Sequence, residues 1–316
     1  MGESIRLGIS ACLLGQKVRY DGGHKRDHFL VDTLGQYVDY VPVCPEMECG
    51  LGVPRETLRL VGDIEAPRLV TTRSNIDHTD RMTAWAQQRV IELEKENLCG
   101  FIFKSDSPSS GMERVKVYGK TGLPLKKGVG VFARVFMAHS PFLPVEEEGR
   151  LHDPMLRENF IERIFVFRRW RKLLSGPGKR GDLVAFHTAH KLMLLAHSPI
   201  HYREMGKLVA QLNEISATAL YDTYRRLLME ALQLKATPAK NTNVLHHIMG
   251  YFKKQLTADE KQELMELIEL YRKGHLPLIV PVTLINHYVR KFSPPYLRSQ
   301  IYLNAHPIEL KLRNHV

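Results

Sequence analysis

The sequence predicts an α/β domain with a mostly parallel sheet and flanking helices, followed by a small all-α domain. Three observations carry this. Short β-branched runs alternate with helical periodicity in the first half of the 316 residues. A turn-rich stretch, Pro141 and Pro144 through Glu146-Glu147-Glu148-Gly149 to Asp153-Pro154, interrupts the pattern. Beyond it helical periodicity is nearly continuous, which sets domains at residues 1–152 and 153–316.

Strands are predicted at Ile5–Ser10, Val38–Val43, 69–72 and 100–104. A helix over 77–98 carries Met82, Trp85, Val90, Ile91 and Leu93 on its apolar positions, and a second follows Phe29. Strand–helix–strand order argues for parallel pairing. Residues 128–136 fit a last strand or the start of a helix. In the second half a helix over 156–174 stops at Gly176-Pro177-Gly178, and another runs from about Asp182 to Leu195. One or two span 202–234 and one 241–255. Thr257-Ala258-Asp259-Glu260 forms a capping box opening a helix to Gly274, and two more lie near 281–292 and 295–303.

Charge is unevenly placed. Residues 1–150 hold 20 Lys and Arg and 20 Asp and Glu, whereas residues 151–316 hold 25 and 14, so the net +11 sits in the second half. That asymmetry fits a neutral chemistry domain joined to one that meets polyanions, or a merely solvated basic surface. No apolar run approaches membrane-spanning length and the start has no secretory pattern, so a cytoplasmic protein with no membrane partner is expected. Four cysteines in so long a chain do not make a disulfide framework, which leaves the thiols free for metal.

Three segments each follow a predicted strand: Ser10-Ala11-Cys12-Leu13-Leu14-Gly15, Val43-Cys44-Pro45-Glu46-Met47-Glu48-Cys49-Gly50 and Ser107-Pro108-Ser109-Ser110-Gly111. Ligands of open parallel sheets bind beyond the carboxyl ends of the strands, so these segments converge there. Cys99 precedes its strand and sits roughly 17 Å away, at the other end. The spacing of Cys44 and Cys49 is not that of a zinc ribbon. Three thiolates without a fourth suit a cubane iron–sulfur cluster with one open, Lewis-acidic iron, and three unrelated buried cysteines are the competing reading. Glu46 reads as a proton carrier or a turn carboxylate, and Ser107 and Ser109 as site hydroxyls or turn formers. Arg55 reads as a contact to a substrate carbonyl or phosphate, or as the salt-bridge partner of Glu56 or Glu48.

These segments, with the Arg19-Tyr20-Asp21-Gly22 that follows the first and the Met112-Glu113-Arg114-Val115-Lys116-Val117-Tyr118 that follows the last, resemble the signatures of the TudS family of thiouracil desulfidases over most of residues 5–136. The resemblance implies a [4Fe-4S] cluster on three cysteines, whose open iron takes the thiocarbonyl sulfur while water supplies the carbonyl oxygen. Cys12 and Cys44 match two of the cluster ligands, Glu46 the proton-transfer residue, and Ser107 the serine assisting it. The third family cysteine is absent, because Ser110 stands in its place. Cys49 is inferred to supply the missing thiolate, and a member that has lost its cluster is the competing reading.

From about residue 158 onward the chain resembles the YbgA-type domain. The matching pieces are Phe186-His187-Thr188-Ala189-His190-Lys191, Asn243-Val244-Leu245-His246-His247 and Tyr271-Arg272-Lys273-Gly274. His187 and His190 share one helical face, where helix packing is the first reading and phosphate contact the second. Arg168-Arg169-Trp170-Arg171-Lys172 is the densest cationic run. With Lys191 and Lys253 it forms the candidate RNA-binding set, against a solvated helix face. Both domains in one chain resemble the RudS-type subgroup, which implies conversion of 4-thiouridine in tRNA to uridine. The alternatives are a desulfidase for free thiouracil or a small thioamide, and a non-catalytic RNA-binding protein with a structural metal site.

Overall fold

A computed structural model describes residues 4–119, 122–176 and 178–315, so Pro177 of the predicted helix stop lies outside the described residues. Two compact units divide the chain, Met1–Asp153 and Pro154–Val316.

In the first unit, strands β1 (Ile5–Ser10), β2 (Val38–Val43), β5 (Gly100–Phe103) and β8 (Val145–Glu147) form a four-stranded sheet in the order β2-β1-β5-β8. Every pairing in it is parallel. Ile5, Leu7 and Ile9 of β1 and Phe101, Ile102 and Phe103 of β5 are wholly buried, as a sheet covered on both faces requires. Gly8 pairs with Phe101, and a side chain there would strike the Phe101 ring. Helices α2 (Thr79–Lys95) and α3 (Val131–His139) cover the sheet through Trp85, Phe132 and Phe136.

A second sheet, β3 (Leu58–Gly62), β4 (Pro67–Thr71), β6 (Val115–Tyr118) and β7 (Pro124–Gly128), is mixed and runs in the order β4-β3-β6-β7. The run predicted at 69–72 therefore belongs to this sheet and not to the parallel one. Of the two readings of 128–136 the helix start holds, Gly128 ending β7 and α3 opening at Val131, whereas the helix expected after Phe29 is one π turn followed by a 3₁₀ turn. Glu146-Glu147-Glu148, read as part of a turn, is buried in and just after β8.

The second unit is helical: α4 (Pro154–Leu174), α5 (Arg180–His197), α6 (Pro199–Ala210), α7 (Ala217–Gln233), α8 (Pro238–Tyr251), α9 (Ala258–Arg272), α10 (Ile279–Phe292) and the short α11 (Pro295–Arg298). The capping box at Thr257 and Glu260 is formed. Trp170, Tyr224, Phe160 and Leu228 fill its core. No described helix is long and apolar enough to cross a membrane.

Candidate functional site

Strands β1 and β2 end level, Ser10 opposite Val43, so the residues after them emerge side by side. Cys12 lies in a 3₁₀ turn directly after β1, and Cys44 caps the one-turn helix α1 (Pro45–Glu48) after β2. Proline at the first helical position suits this start, since its missing N–H would have had no partner. Glu48 accepts a hydrogen bond from the Cys44 amide at 2.8 Å and pairs with Arg89 of α2 at 2.9 Å, fixing the backbone that carries the thiol. The Ser107–Gly111 loop follows β5 at the same end, tied by the Lys104 amide to Ser10 Oγ at 2.9 Å.

A cavity of about 350 Å³ opens here, and Cys12, Cys44, Glu46, Ser107 and Ser110 all line it, with Arg55 and Lys104. Glu46 is its chemical centre. Ser109, wholly buried, donates to Glu46 Oε1 at 2.5 Å. The Cys44 thiol lies 3.6 Å and Arg55 Nη2 3.8 Å from Glu46 Oε2. Arg55 Nη1 donates to the carbonyls of Val18 and Gly52, at 3.0 and 2.9 Å. Neither glutamate expected to pair with Arg55 does so: Glu48 is taken by Arg89 and Glu56 by the Arg73 and Ser74 amides, and Arg55 lies beside Glu46 instead.

Ser107 stands one step further out. Its Oγ is 3.0 Å from Ser109 Oγ and accepts the Ser110 amide at 3.1 Å. Ser109 is therefore the hydroxyl in contact with the carboxylate. Sequence reasoning leaves Ser109 as a site hydroxyl or turn former and gives the assisting role to Ser107; burial of Ser109 is the signal that the sequence lacks.

Close packing holds the loop. The Gly130 amide donates to Gly111 O at 2.7 Å, and the Val131 and Ala133 amides donate to Pro108 and Ser109 carbonyls at 3.2 Å. The loop thus occupies the otherwise unpaired first turn of α3. A Cβ on Gly130 would lie 2.5 Å from Ser109 backbone, and one on Gly111 would lie 2.8 Å from Ser107 O. The three glutamates of β8 and its end brace the flanks. Glu148 accepts the Ser105 amide at 2.7 Å and pairs with Lys104, while Glu147 accepts the Met112 amide at 2.7 Å. Glu146 binds Arg150 Nε at 2.6 Å.

The cysteines differ in placement. Burial pushes the Cys12 thiol up to about 11 against the pull of Lys104, and the Cys44 thiol up to about 12, with Glu46 adding to the rise. Cys49 does not line the cavity. It is packed with Leu60, Leu69, Met82 and Val115 of the second-sheet core, its Sγ 3.5 Å from the Glu46 carbonyl oxygen. Ser110, by contrast, lines the cavity, and its hydroxyl makes no hydrogen bond among the described residues. Cys99 is buried at the opposite end, its amide bonded to Arg6 O at 2.8 Å.

In the helical unit, His187 and His190 are buried. Their Nδ1 atoms lie 3.1 Å from Tyr224 Oη and 2.7 Å from Phe186 O, which is helix packing and not a surface for phosphate. Trp170 is buried and stacked on Tyr224 at 5.4 Å, so it is core. Arg169 is turned to Ala305 O at 2.8 Å and lies over Phe165, and Arg171 lies over Phe167. Arg168 and Lys191 are half-buried, and Lys172 and Lys253 are exposed. Among the described residues, Glu158, Glu162 and His306 are the one group with metal-ligand spacing. Arg313 bridges the two carboxylates at 3.2 and 2.7 Å, taking the cation's place.

The 2-thiouracil desulfurase family model matches residues 7–148, and the model of a protein family of unknown function, DUF1722, matches residues 191–307. The uncharacterized protein YbgA of Escherichia coli strain K12 is 35% identical over 158 residues, covering 50% of this chain and 94% of that protein. A solved [4Fe-4S]-dependent thiouracil desulfidase, TudS, is similar at 29% identity and a TM-score of 0.40, over 48% of this chain and 95% of its own. The chain belongs to the YbgA family and carries a 2-thiouracil desulfurase-type domain fused to its YbgA-type domain.

Proposed function

We propose that the first unit removes sulfur from thiouracil-type bases, replacing C=S by C=O with release of sulfide, and that its substrate is 4-thiouridine in tRNA. The observation that carries this is one cavity presenting two thiols, an unbonded hydroxyl and a carboxylate held by Ser109. Its donor set fits an iron–sulfur cluster at Cys12 and Cys44, neither of which is in a disulfide. For the third position, Ser110 is on the cavity wall and Cys49 is in the apolar core behind Glu46. The relocation of that ligand to Cys49 therefore has no support from its placement, and Ser110 is the residue we assign. When bound, the cluster supplies a Lewis-acidic iron with affinity for soft sulfur.

The chain's own groups do the proton work. Ser109 holds Glu46 Oε1, which leaves Oε2 facing the cavity to take a proton from the water whose oxygen becomes the carbonyl. Arg55, 3.8 Å away, offsets the carboxylate's charge and orients it. The same Oε2 then returns its proton to the departing sulfide, so the residue ends each cycle as it began.

The basic helical unit supports the tRNA reading by charge, and the name of the matching family supports the free base as the second reading. The reconstituted full chain, kept anaerobic, is incubated with 4-thiouridine-containing tRNA and, separately, with 4-thiouracil. Conversion of tRNA 4-thiouridine to uridine is expected. Turnover of 4-thiouracil alone assigns the free base, and turnover of neither by a loaded chain overturns the desulfidase reading.

A further inference from the structure

Arg169 and Arg171 of the α4 run lie over rings of their own helix, and the helical unit carries a second surface with rings and cations at α8, α10 and α11. Tyr251 at the end of α8 is 43% exposed and stacks on Tyr296 of α11, ring centroids 5.0 Å apart and planes 21° from parallel. His247, one turn earlier and also exposed, meets Tyr251 edge-on at 5.6 Å. Tyr296 is half-buried, so the stack presents its rings at the surface, unlike the buried Trp170, Tyr224, Phe252 and Tyr302 of the same unit.

Two residues beyond Tyr296, Arg298 lines an open hollow of about 480 Å³ with Arg290, Asn286, Ser293 and Asn304. The hollow has no carboxylate in its lining. Ser293, in the left-handed region at φ 49°, turns the chain between α10 and α11 so that both arginines reach it. Arg290 and Arg298 make no ion pair among the described residues, and neither do the exposed Lys253 and Lys254 that follow Tyr251. Elsewhere on the same unit cations are spent on partners, as Lys291 is on Glu260 and Arg272 on Glu269.

We infer that this surface binds single-stranded RNA, a base stacking on the Tyr251–Tyr296 pair while the adjoining phosphate sits between Arg290 and Arg298. Bases of every kind have a π face, so such a platform grips without reading sequence, and unpaired guanidinium groups suit phosphate oxygens geometrically. A single strand fits better than a duplex, whose bases are stacked on one another and closed to a side-chain ring. The inference rests on the reading that the substrate is RNA, and it adds where an unpaired segment of that RNA is held.

The test uses the metal-free full chain, so it does not depend on turnover. Binding of a labelled 12-nucleotide uridine-rich RNA, its duplex form and unmodified tRNA is followed by fluorescence anisotropy. The paired substitution Y251A and Y296A is expected to weaken single-strand binding about tenfold or more, while Y251F retains it. Pairing R290A with R298A is expected to reduce the slope of log affinity against log salt by about two. Ultraviolet crosslinking of the wild-type chain to the same RNA, with the attached peptides identified by mass, is expected to mark residues around 247–251 and 296–298. Unchanged single-strand affinity in the folded tyrosine variant, equal affinity for the duplex, or crosslinks confined to other segments would overturn the inference. Turnover of free 4-thiouracil is unaffected by these substitutions. A chain that binds the RNA as described yet leaves tRNA 4-thiouridine intact counts against the proposed substrate and not against the platform.

Discussion

Ser109→Ala isolates the contact that holds Glu46. The hydrogen bond it removes is short, at 2.5 Å, wholly buried on the serine side, and made to a carboxylate. A hydrogen bond to a charged group contributes about 1.5–3 kcal/mol. Every 1.36 kcal/mol is a factor of ten, so kcat should fall about 10- to 100-fold. Because Ser109 does not line the cavity, KM should hold, which is the signature of a positioning residue. Glu46→Gln, which removes the proton carrier itself, should cost about 10²- to 10⁴-fold. Ser107→Ala should cost only a few-fold, because its hydroxyl reaches Glu46 through Ser109. The assay is anaerobic loss of thiocarbonyl absorbance from 4-thiouracil, normalised to bound iron so that loading and turnover are separated. A Ser107→Ala loss exceeding that of Ser109→Ala, or a Ser109→Ala enzyme within twofold of wild type, would refute the reasoning.

Cluster loading should be abolished by Cys12→Ala or Cys44→Ala and left intact by Cys49→Ala, while Ser110→Cys should change the absorption and electron paramagnetic resonance spectra; loss of iron in Cys49→Ala would reinstate that residue as the third ligand. Burial depresses His187 to about 4 and His190 to about 3, so the folded helical unit binds fewer protons than the unfolded chain below pH 6.5. The stability these two histidines contribute should therefore be fully present above pH 6.5 and fall as pH drops toward 4 and 3, measured as the difference in urea unfolding between the wild type and a H187Q/H190Q variant across that range; an equal pH dependence in the two would count against it. Arg313→Met should destabilise the same unit by about 3–5 kcal/mol, because it strands Glu158 and Glu162 without their shared cation. Denaturant midpoints read this directly, and a loss below about 1 kcal/mol would contradict the bridging role.

The parallel sheet was legible because β1, β2 and β5 are dense in β-branched and aromatic residues, and helices α2 and α9 because their apolar spacing and capping are local signals. The second sheet was mostly not. β7 is exposed along most of its length, and β3 pairs with β6 more than fifty residues away, so neither carries a local periodic signal. The glutamates of β8 were misread for a related reason. Three adjacent carboxylates look solvated until Lys104, Arg150 and the amides of Ser105 and Met112 are known to face them. At the site, strand polarity was enough to gather Cys12, Cys44 and the serine loop. It could not separate Cys49 from Cys44, five residues along, because the side on which a one-turn helix presents each residue is set by packing against distant Leu60 and Val115. The same limit hid Ser109, whose neighbour Ser107 carries identical chemistry in sequence.

Gly111 and Gly130 give the loop an asymmetric tolerance to change. Its shape is fixed by two positions where nothing projects and by Ser107 Oγ, which accepts the Ser110 amide, while the Ser110 hydroxyl takes no part in that closure. A one-atom exchange of sulfur for oxygen at residue 110 therefore leaves the backbone undisturbed, whereas a methyl group at Gly130 pries the loop from α3 and one at Gly111 strikes Ser107 O and Val115. Chemistry at this site can drift without unfolding it, and a lineage can retune its donor atoms while the scaffold stays constant.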